Sequence, residues 1–309
     1  MHKTFYSCGK LMLCGEYAVL DGATALALPT IKGQQMEVEV SQTLLNEGIL
    51  IWQAYDVNDA IWFSAKISLP HLIIEDTTDN NVALQLIRFL ITARAINPDF
   101  LNESHIYHIS TYLEFDTEEG LGSSSTLTAN IAQWAGIDPF VLHFNAFKGS
   151  GFDIAVAITG QPLLYQVNHR IPTIEAFIWD KPFNDQLFFI HLNQKQNSRT
   201  EISRYNNIHF SQQQIEELTR LSKLLAHTHD YFEFCLLLEL AETEVSAALN
   251  RPTIKQELFS DFHGTIKSLG AWGGDYILAT GDNTPAYFQS KGYDKIVPFN
   301  NMIKLSTDT

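Results

Sequence analysis

Residues 118–126 read EEGLGSSST, and the apolar, helically spaced stretch Leu127-Thr128-Ala129-Asn130-Ile131-Ala132 follows at once. Two glycines and four hydroxyl side chains therefore stand directly before a helix. A helix N-terminus exposes four N–H groups without intrahelical acceptors and carries roughly half a positive charge. Glycines ahead of it let the backbone come close to a ligand, and serines add donors. The stretch reads as a cradle for an anion, phosphate above all. It is not a Walker A loop, because no Gly-Lys-Ser/Thr ending follows a GxxxxG spacing. A heavily capped helix behind a turn accounts for the same residues equally well.

The chain around this stretch has 309 residues, 45% of them apolar and 18% charged, enough for a large core. Its formal net charge of −15 argues against a general nucleic-acid surface or an anionic-membrane surface. A small anionic substrate remains compatible, provided that cations gather locally. The three cysteines, Cys8, Cys14 and Cys235, show no CxxC spacing, which suggests a reducing compartment and no zinc site. No stretch has the length and apolarity of a transmembrane span, and the first twenty residues lack a signal-peptide pattern. A cytoplasmic protein is expected. The sequence leaves the oligomeric state open, with a homodimer among the options.

Alternation predicts strands at 36–40 (MEVEV) and 105–115, the short apolar run at 49–52 is compatible with another, and further strands are read at 162–167 and 187–192. Helical spacing appears over 79–97, with Pro98 as the stop, over 123–135 closed by Gly136 and Pro139, and over 152–159. Further helices are expected near 211–226, 230–249 and 253–262, followed by a glycine-broken apolar strand over 265–282. Strands and helices mix without strict βαβ alternation, which predicts an α+β fold in two lobes that divide near 170–185.

Two other stretches extend the opening motif. CGKLMLCGEYAVLDGATALALP occupies 8–29, and SLGAWGGDYILATG occupies 268–281. Taken with EEGLGSSST, their content and order resemble the GHMP kinase superfamily, the small-molecule kinases named for galactokinase, homoserine, mevalonate and phosphomevalonate kinases. The resemblance runs over nearly the whole chain. It implies a two-lobe α+β fold with the active site between the lobes, a nucleotide-binding lobe at 1–175 and a lobe at 176–309 that contributes to the substrate site. It also implies ATP and Mg²⁺, with the ATP phosphates on Gly120, Leu121, Gly122, Ser123, Ser124 and Ser125.

By the same resemblance, Lys10 lies near the transferring phosphoryl group, where an ammonium would stabilise charge on the equatorial oxygens. Asp153, in GSGFDIAVAITG, faces the acceptor as base or orienting group, and a first-turn helix acid is the plainer reading of the same residue. Ser124, with Ser123 beside it, is the expected metal-side hydroxyl, since Mg²⁺ tolerates few protein ligands. Mevalonate kinases add a glutamate upstream of the aspartate. At that spacing this chain has Leu142, with His143 and Asn145 nearby, and no carboxylate. In the third motif Trp272 stands where the family has glycine, and is expected to pack at the edge of the cleft.

GEYAVL, GSGFD and KSLGAWGGD look closer to phosphomevalonate kinase than to mevalonate kinase, and Lys195 to Thr200 resemble its substrate-side loop. Substrate contacts are accordingly expected from Glu16, Lys148, Ser198, Arg199, Thr200, Lys267, Gly270, Gly273 and Gly274. Lys10, Lys148, Lys195, Arg199 and Lys267 all fall in or beside motifs of an otherwise acidic chain, as an anionic acceptor would require. Phosphomevalonate is the expected acceptor and mevalonate the alternative. A diphosphomevalonate decarboxylase-like enzyme and a catalytically inactive ligand-binding relative also fit the motifs.

Overall fold

The computed structural model describes residues 1–42, 47–102, 104–193, 208, 210–270, 272 and 274–305. The chain separates into two compact units. The first comprises Met1–Gly9, Lys32–Asp116 and Gly122–Ile158, and the second Lys10–Ile31, Thr117–Leu121 and Thr159–Thr309. The class is the mixed α+β expected from the sequence.

Two long strands, β1 (His2–Cys14) and β2 (Ala25–Gln42), pair with each other and thread through both units. The first unit continues with β3 (Gly48–Tyr55), β4 (Ile61–Leu69), β5 (Ile73–Thr77), α1 (Asn80–Ile96) and β6 (His105–Leu113). Its helices then follow as α2 (Ser123–Ala135), α3 (Pro139–Ala146) and α4 (Phe152–Thr159). The strand order is β5-β4-β3-β6-β2. Only β3 and β6 run parallel here among the described pairings, joined by the crossover that includes α1.

The alternation in β3 sends Leu50, Trp52 and Ala54 inward, where they meet Phe63 and Ile67 of β4 and Ile109 of β6. Phe89 and Leu90 of α1, Ile131 of α2 and Leu142 of α3 complete this core. Asp79 caps α1 by accepting from the N–H groups of Asn81 at 2.8 Å and Val82 at 3.2 Å. Gly136 ends α2 with a left-handed φ of 64°, and Pro139 opens α3 rather than merely closing what precedes it.

In the second unit Ala25–Ala27 of β2 pair with β7 (Leu163–Asn168), which pairs with β8 (Ile171–Ala176). Next along the chain are β9 (Leu187–His191), α5 (Gln212–His227), α6 (Tyr231–Leu249) and α7 (Ile254–Leu258). The last elements are β10 (Thr265–Ser268), β11 (Tyr276–Thr280), α8 (Thr284–Ser290), β12 (Ile296–Pro298) and α9 (Phe299–Met302). An antiparallel sheet of order β10-β11-β9-β12 forms from these. Ser211 and Gln214 close a capping box on α5, and α6 buries Phe234, Leu237, Leu238, Ala241 and Val245.

The strands expected at 36–40 and 49–52 are the inner parts of β2 and β3. The helix expected over 253–262 stops at Leu258, because Phe259 and Phe262 turn into an aromatic cluster. Their rings lie 5.0 Å from Phe288 and 4.8 Å from Tyr287, respectively. The single strand expected over 265–282 is two, β10 and β11, paired from Thr265↔Thr280 to Ser268↔Ile277.

Candidate active site

The glycine-serine stretch begins in the second unit and ends in the first. Thr117–Glu119 make one 3₁₀ turn, and Gly120 and Gly122 take φ of 66° and 94°, in the region where only glycine is unstrained. At Gly120 a side chain is also excluded sterically: a Cβ there would lie 2.1 Å from Oδ2 of Asp275. Leu121 is buried. Lys10 docks on this turn twice, its backbone N–H donating to the Leu121 carbonyl and its Nζ to the Gly120 carbonyl, each at 2.9 Å. The ammonium expected to act in catalysis and the loop expected to hold phosphates are thus one hydrogen-bonded substructure.

In the first unit α2 starts at Ser123, and its N-terminal N–H groups point out of the helix at the glycine end. Ser124 is exposed and Ser123 half-buried, so both hydroxyls are available to a ligand. Ser125 is buried and its Oγ donates to the Gly122 carbonyl at 2.7 Å, which makes its side chain a brace for the loop. Thr126 donates to Oε1 of Gln34 at 2.7 Å, and Asn130 donates to the Gln34 carbonyl at 3.0 Å, tying α2 to β2. Left-handed glycines, an open helix end and two free hydroxyls fit a polyphosphate. The exposed Ser124 hydroxyl fits Mg²⁺ held mostly by phosphate and water. Among the described residues no three His, Cys, Asp or Glu side chains gather as a metal site.

Asp153 lies in the first turn of α4, half-buried, with Oδ1 accepting from the Ile154 N–H at 3.0 Å. Favourable interaction with the helix end and availability to a ligand are compatible there. His143 of α3, one residue after Leu142 at the family's glutamate spacing, is buried and interacts electrostatically with Asp153. Burial pushes the His143 imidazole below its ordinary pKa, against the opposing pull of Asp153. Lys148 is exposed on the segment between α3 and α4.

The second unit holds a buried ionic cluster that the sequence signals only in part. Lys267 on β10 is fully buried. Its Nζ bonds to Glu16 Oε1, lies 3.1 Å from Glu242 Oε2 and donates to the Ser268 carbonyl at 2.7 Å. Two hydrogen bonds and a second ion pair thus hold the ammonium. Ser268 in turn donates to Glu242 through its N–H at 3.1 Å and its Oγ at 2.5 Å. Burial alone would lower the Lys267 pKa, but the Glu16 and Glu242 carboxylates outweigh it and hold the ammonium above its usual range. Glu16 is raised by its own burial, since one cation serves two carboxylates and Glu16 Oε2 has no partner among the described residues. Any direct contact of the Lys267 ammonium with an acceptor would compete with these partners. Burial and the nearby Glu16 push the Cys14 thiol up to about 12, so it is no nucleophile.

The third motif is joined to the first by Tyr17, whose φ is 60° and whose hydroxyl accepts from the Trp272 N–H at 2.9 Å. Trp272 itself is buried. Gly270 takes φ of 71°, and Gly274 is buried. Gly273, Lys195, Ser198, Arg199 and Thr200 lie outside the described residues. Glu119, Glu242, Tyr17 and His143 were not singled out as site residues by sequence. Glu242 sits in a helix of apolar periodicity, where a charged residue at a core position was the available signal.

No protein-family model matches the sequence, and no curated protein matches it. Solved structures do match. Methanococcus jannaschii mevalonate kinase is 14% identical, with a TM-score of 0.66 and 99% of each chain covered. Streptococcus pneumoniae phosphomevalonate kinase in complex with phosphomevalonate and AMPPNP is 17% identical at a TM-score of 0.66, with 99% of this chain and 98% of that chain covered. Lactococcus lactis galactokinase complexed with galactose is 11% identical at 0.63, covering 99% and 94%. The fold is the one that these GHMP kinases have.

Proposed function

We propose that this chain is an ATP-dependent kinase that transfers the γ-phosphoryl group to a small anionic acceptor of the mevalonate pathway, phosphomevalonate in the first place. The observation that carries the reading is the docking of Lys10 on the Gly120 and Leu121 carbonyls. It puts a half-buried ammonium on the very loop whose glycines and serines suit phosphates. The fold shared with small-molecule kinases supports the same class.

In this reading the N–H groups at the start of α2 and the Ser123 and Ser124 hydroxyls hold the β- and γ-phosphates. Mg²⁺, held through Ser124, phosphate and water, supplies neutralisation of phosphate charge. Lys10 stabilises the charge spread over the transferring group's oxygens. An acceptor phosphate oxygen forms the new P–O bond as the bond to the β-phosphate breaks and ADP leaves. A phosphate monoester is largely dianionic at neutral pH, with its second pKa about 6, so Asp153 need not remove a proton. Asp153 orients the acceptor instead. Lys148 and Arg199 are the acceptor's proposed cationic contacts.

Mevalonate is the second reading, favoured by Lys267. With its ammonium already held by two carboxylates and a carbonyl inside the unit, one of the cations expected for a second anionic group is committed elsewhere. Asp153 would then accept the hydroxyl proton. Coupled ADP release with phosphomevalonate, mevalonate, diphosphomevalonate and galactose as acceptors tests the proposal. Turnover with phosphomevalonate above all others is expected. Turnover with galactose alone, or with none, would end it.

A further inference from the structure

Glu119 is an acidic residue placed where a phosphate-binding loop should avoid one, and it is buried. Its two carboxylate oxygens are each taken. Tyr276, the first residue of β11, donates its hydroxyl to Oε2 at 2.9 Å, and Lys295 approaches Oε1 at 3.0 Å. Burial, reinforced by Glu119, raises the Tyr276 pKa, which keeps the phenol a donor. Lys295 is anchored in turn, because its backbone carbonyl accepts from the His191 N–H of β9 at 3.0 Å. The His191 ring meets the Tyr276 ring edge-on at 5.0 Å. The side chain of Glu119 is therefore fixed to β11 and to the residue that precedes β12.

The next residue carries the consequence. Gly120 offers its carbonyl to the Lys10 ammonium, and the Asp275 carboxylate from the segment leading into β11 occupies the space a side chain there would need. From the sheet edge to the ammonium the connection is Tyr276 and Lys295, then Glu119, then the Gly120 carbonyl, then Lys10, all inside the second unit. An isolated ion pair as exposed as Lys295 contributes little to stability. Placement is a different matter, since a misplacement of about 1 Å can lower a rate by about 10²-fold.

We infer that Glu119 is a positioning residue, a carboxylate peg gripped by Tyr276 and Lys295 that sets the Gly120 carbonyl and through it the Lys10 ammonium. The effect on turnover rests on the kinase reading given above. The effect on Lys10 does not. Losing the Lys295 charge removes the cation from Glu119 Oε1, and the carboxylate swings toward water, taking Gly120 with it.

The test uses the full chain as wild type, Lys295→Met, Lys295→Arg and Glu119→Gln. Acetylation of lysines by an N-hydroxysuccinimide ester, read residue by residue by mass spectrometry, reports the Lys10 environment without any need for activity. Exposed Lys223 serves as the internal reference. Lys10 should acetylate about threefold faster or more in Lys295→Met and in Glu119→Gln, because losing a hydrogen-bond acceptor favours the neutral, nucleophilic amine. Lys223 should not change, and Lys295→Arg should restore the slow rate. In the ADP-release assay Lys295→Met should lower kcat about tenfold, with the KM for ATP moving less than about threefold, again with rescue by arginine. Equal Lys10 acetylation in wild type and both charge-loss variants overturns the inference. So does an Arg variant that behaves like the Met variant. If no acceptor supports turnover in wild type the kinase reading fails, and the acetylation rates still decide the peg.

Discussion

Replacing Lys267 by methionine separates a structural role from a substrate-binding one. The side chain is fully buried and shared between Glu16 and Glu242, whose side chains are each 3% exposed. Methionine fills nearly the same space and removes the charge. Glu242 keeps the N–H and Oγ–H of Ser268, but Glu16 is left as a buried carboxylate with no cation. Removing one partner of a buried pair costs about 3–5 kcal/mol. For a chain of this length that corresponds to a fall in Tm of about 5–8 °C. Urea unfolding followed by tryptophan fluorescence measures it, with Trp272 buried in the same unit as a local reporter. Adding Glu16→Gln should recover about 1–3 kcal/mol, since the uncompensated charge goes with it. A Lys267→Met variant within about 1 kcal/mol of wild type, with a raised KM for the acceptor, would refute the buried-cluster account and return Lys267 to the substrate.

Three further outcomes follow from the site. Asp153→Asn should lower kcat about 10²-fold or more while leaving Tm nearly unchanged, because asparagine can still accept from the Ile154 N–H; an unchanged kcat with a lower Tm would leave Asp153 a helix-end acid only. Ser124→Ala should weaken ATP turnover without affecting the urea midpoint, as the side chain is exposed; wild-type nucleotide affinity and rate would count against the cradle. His143, its pKa depressed by burial, binds its proton more weakly folded than unfolded. Stability should therefore fall as pH drops below the unfolded histidine value of about 6.5, down toward the folded value, and His143→Gln should flatten that limb in pH-dependent urea titrations.

Local patterning carried much of the fold into the sequence. Alternation located β6 and a short apolar run β3, and helical spacing with the Pro98 and Gly136 stops placed α1 and α2, because these signals act within a few residues. β1 was not marked as a strand: it is apolar in its second half and polar in its first, so neither period shows. The 253–262 helix was over-extended because the aromatic cluster around Phe288 is formed by residues distant in sequence. The candidate cradle was visible for the same reason as the helices, its glycines and serines being contiguous. Lys10 was singled out by motif, yet its partner, the Gly120 carbonyl, lies 110 positions away. Glu119 and Glu242 were missed because an acid reads as a solvated charge until its distant partners, Tyr276 and Lys267, are placed beside it.

The most direct measurement of the central claim is the mass of the acceptor after incubation with ATP, Mg²⁺ and the full chain. The account predicts phosphomevalonate gaining one phosphoryl group, with one ADP formed per product, and loss of that conversion in Asp153→Asn. An acceptor of unchanged mass, with or without ADP formation, would contradict it.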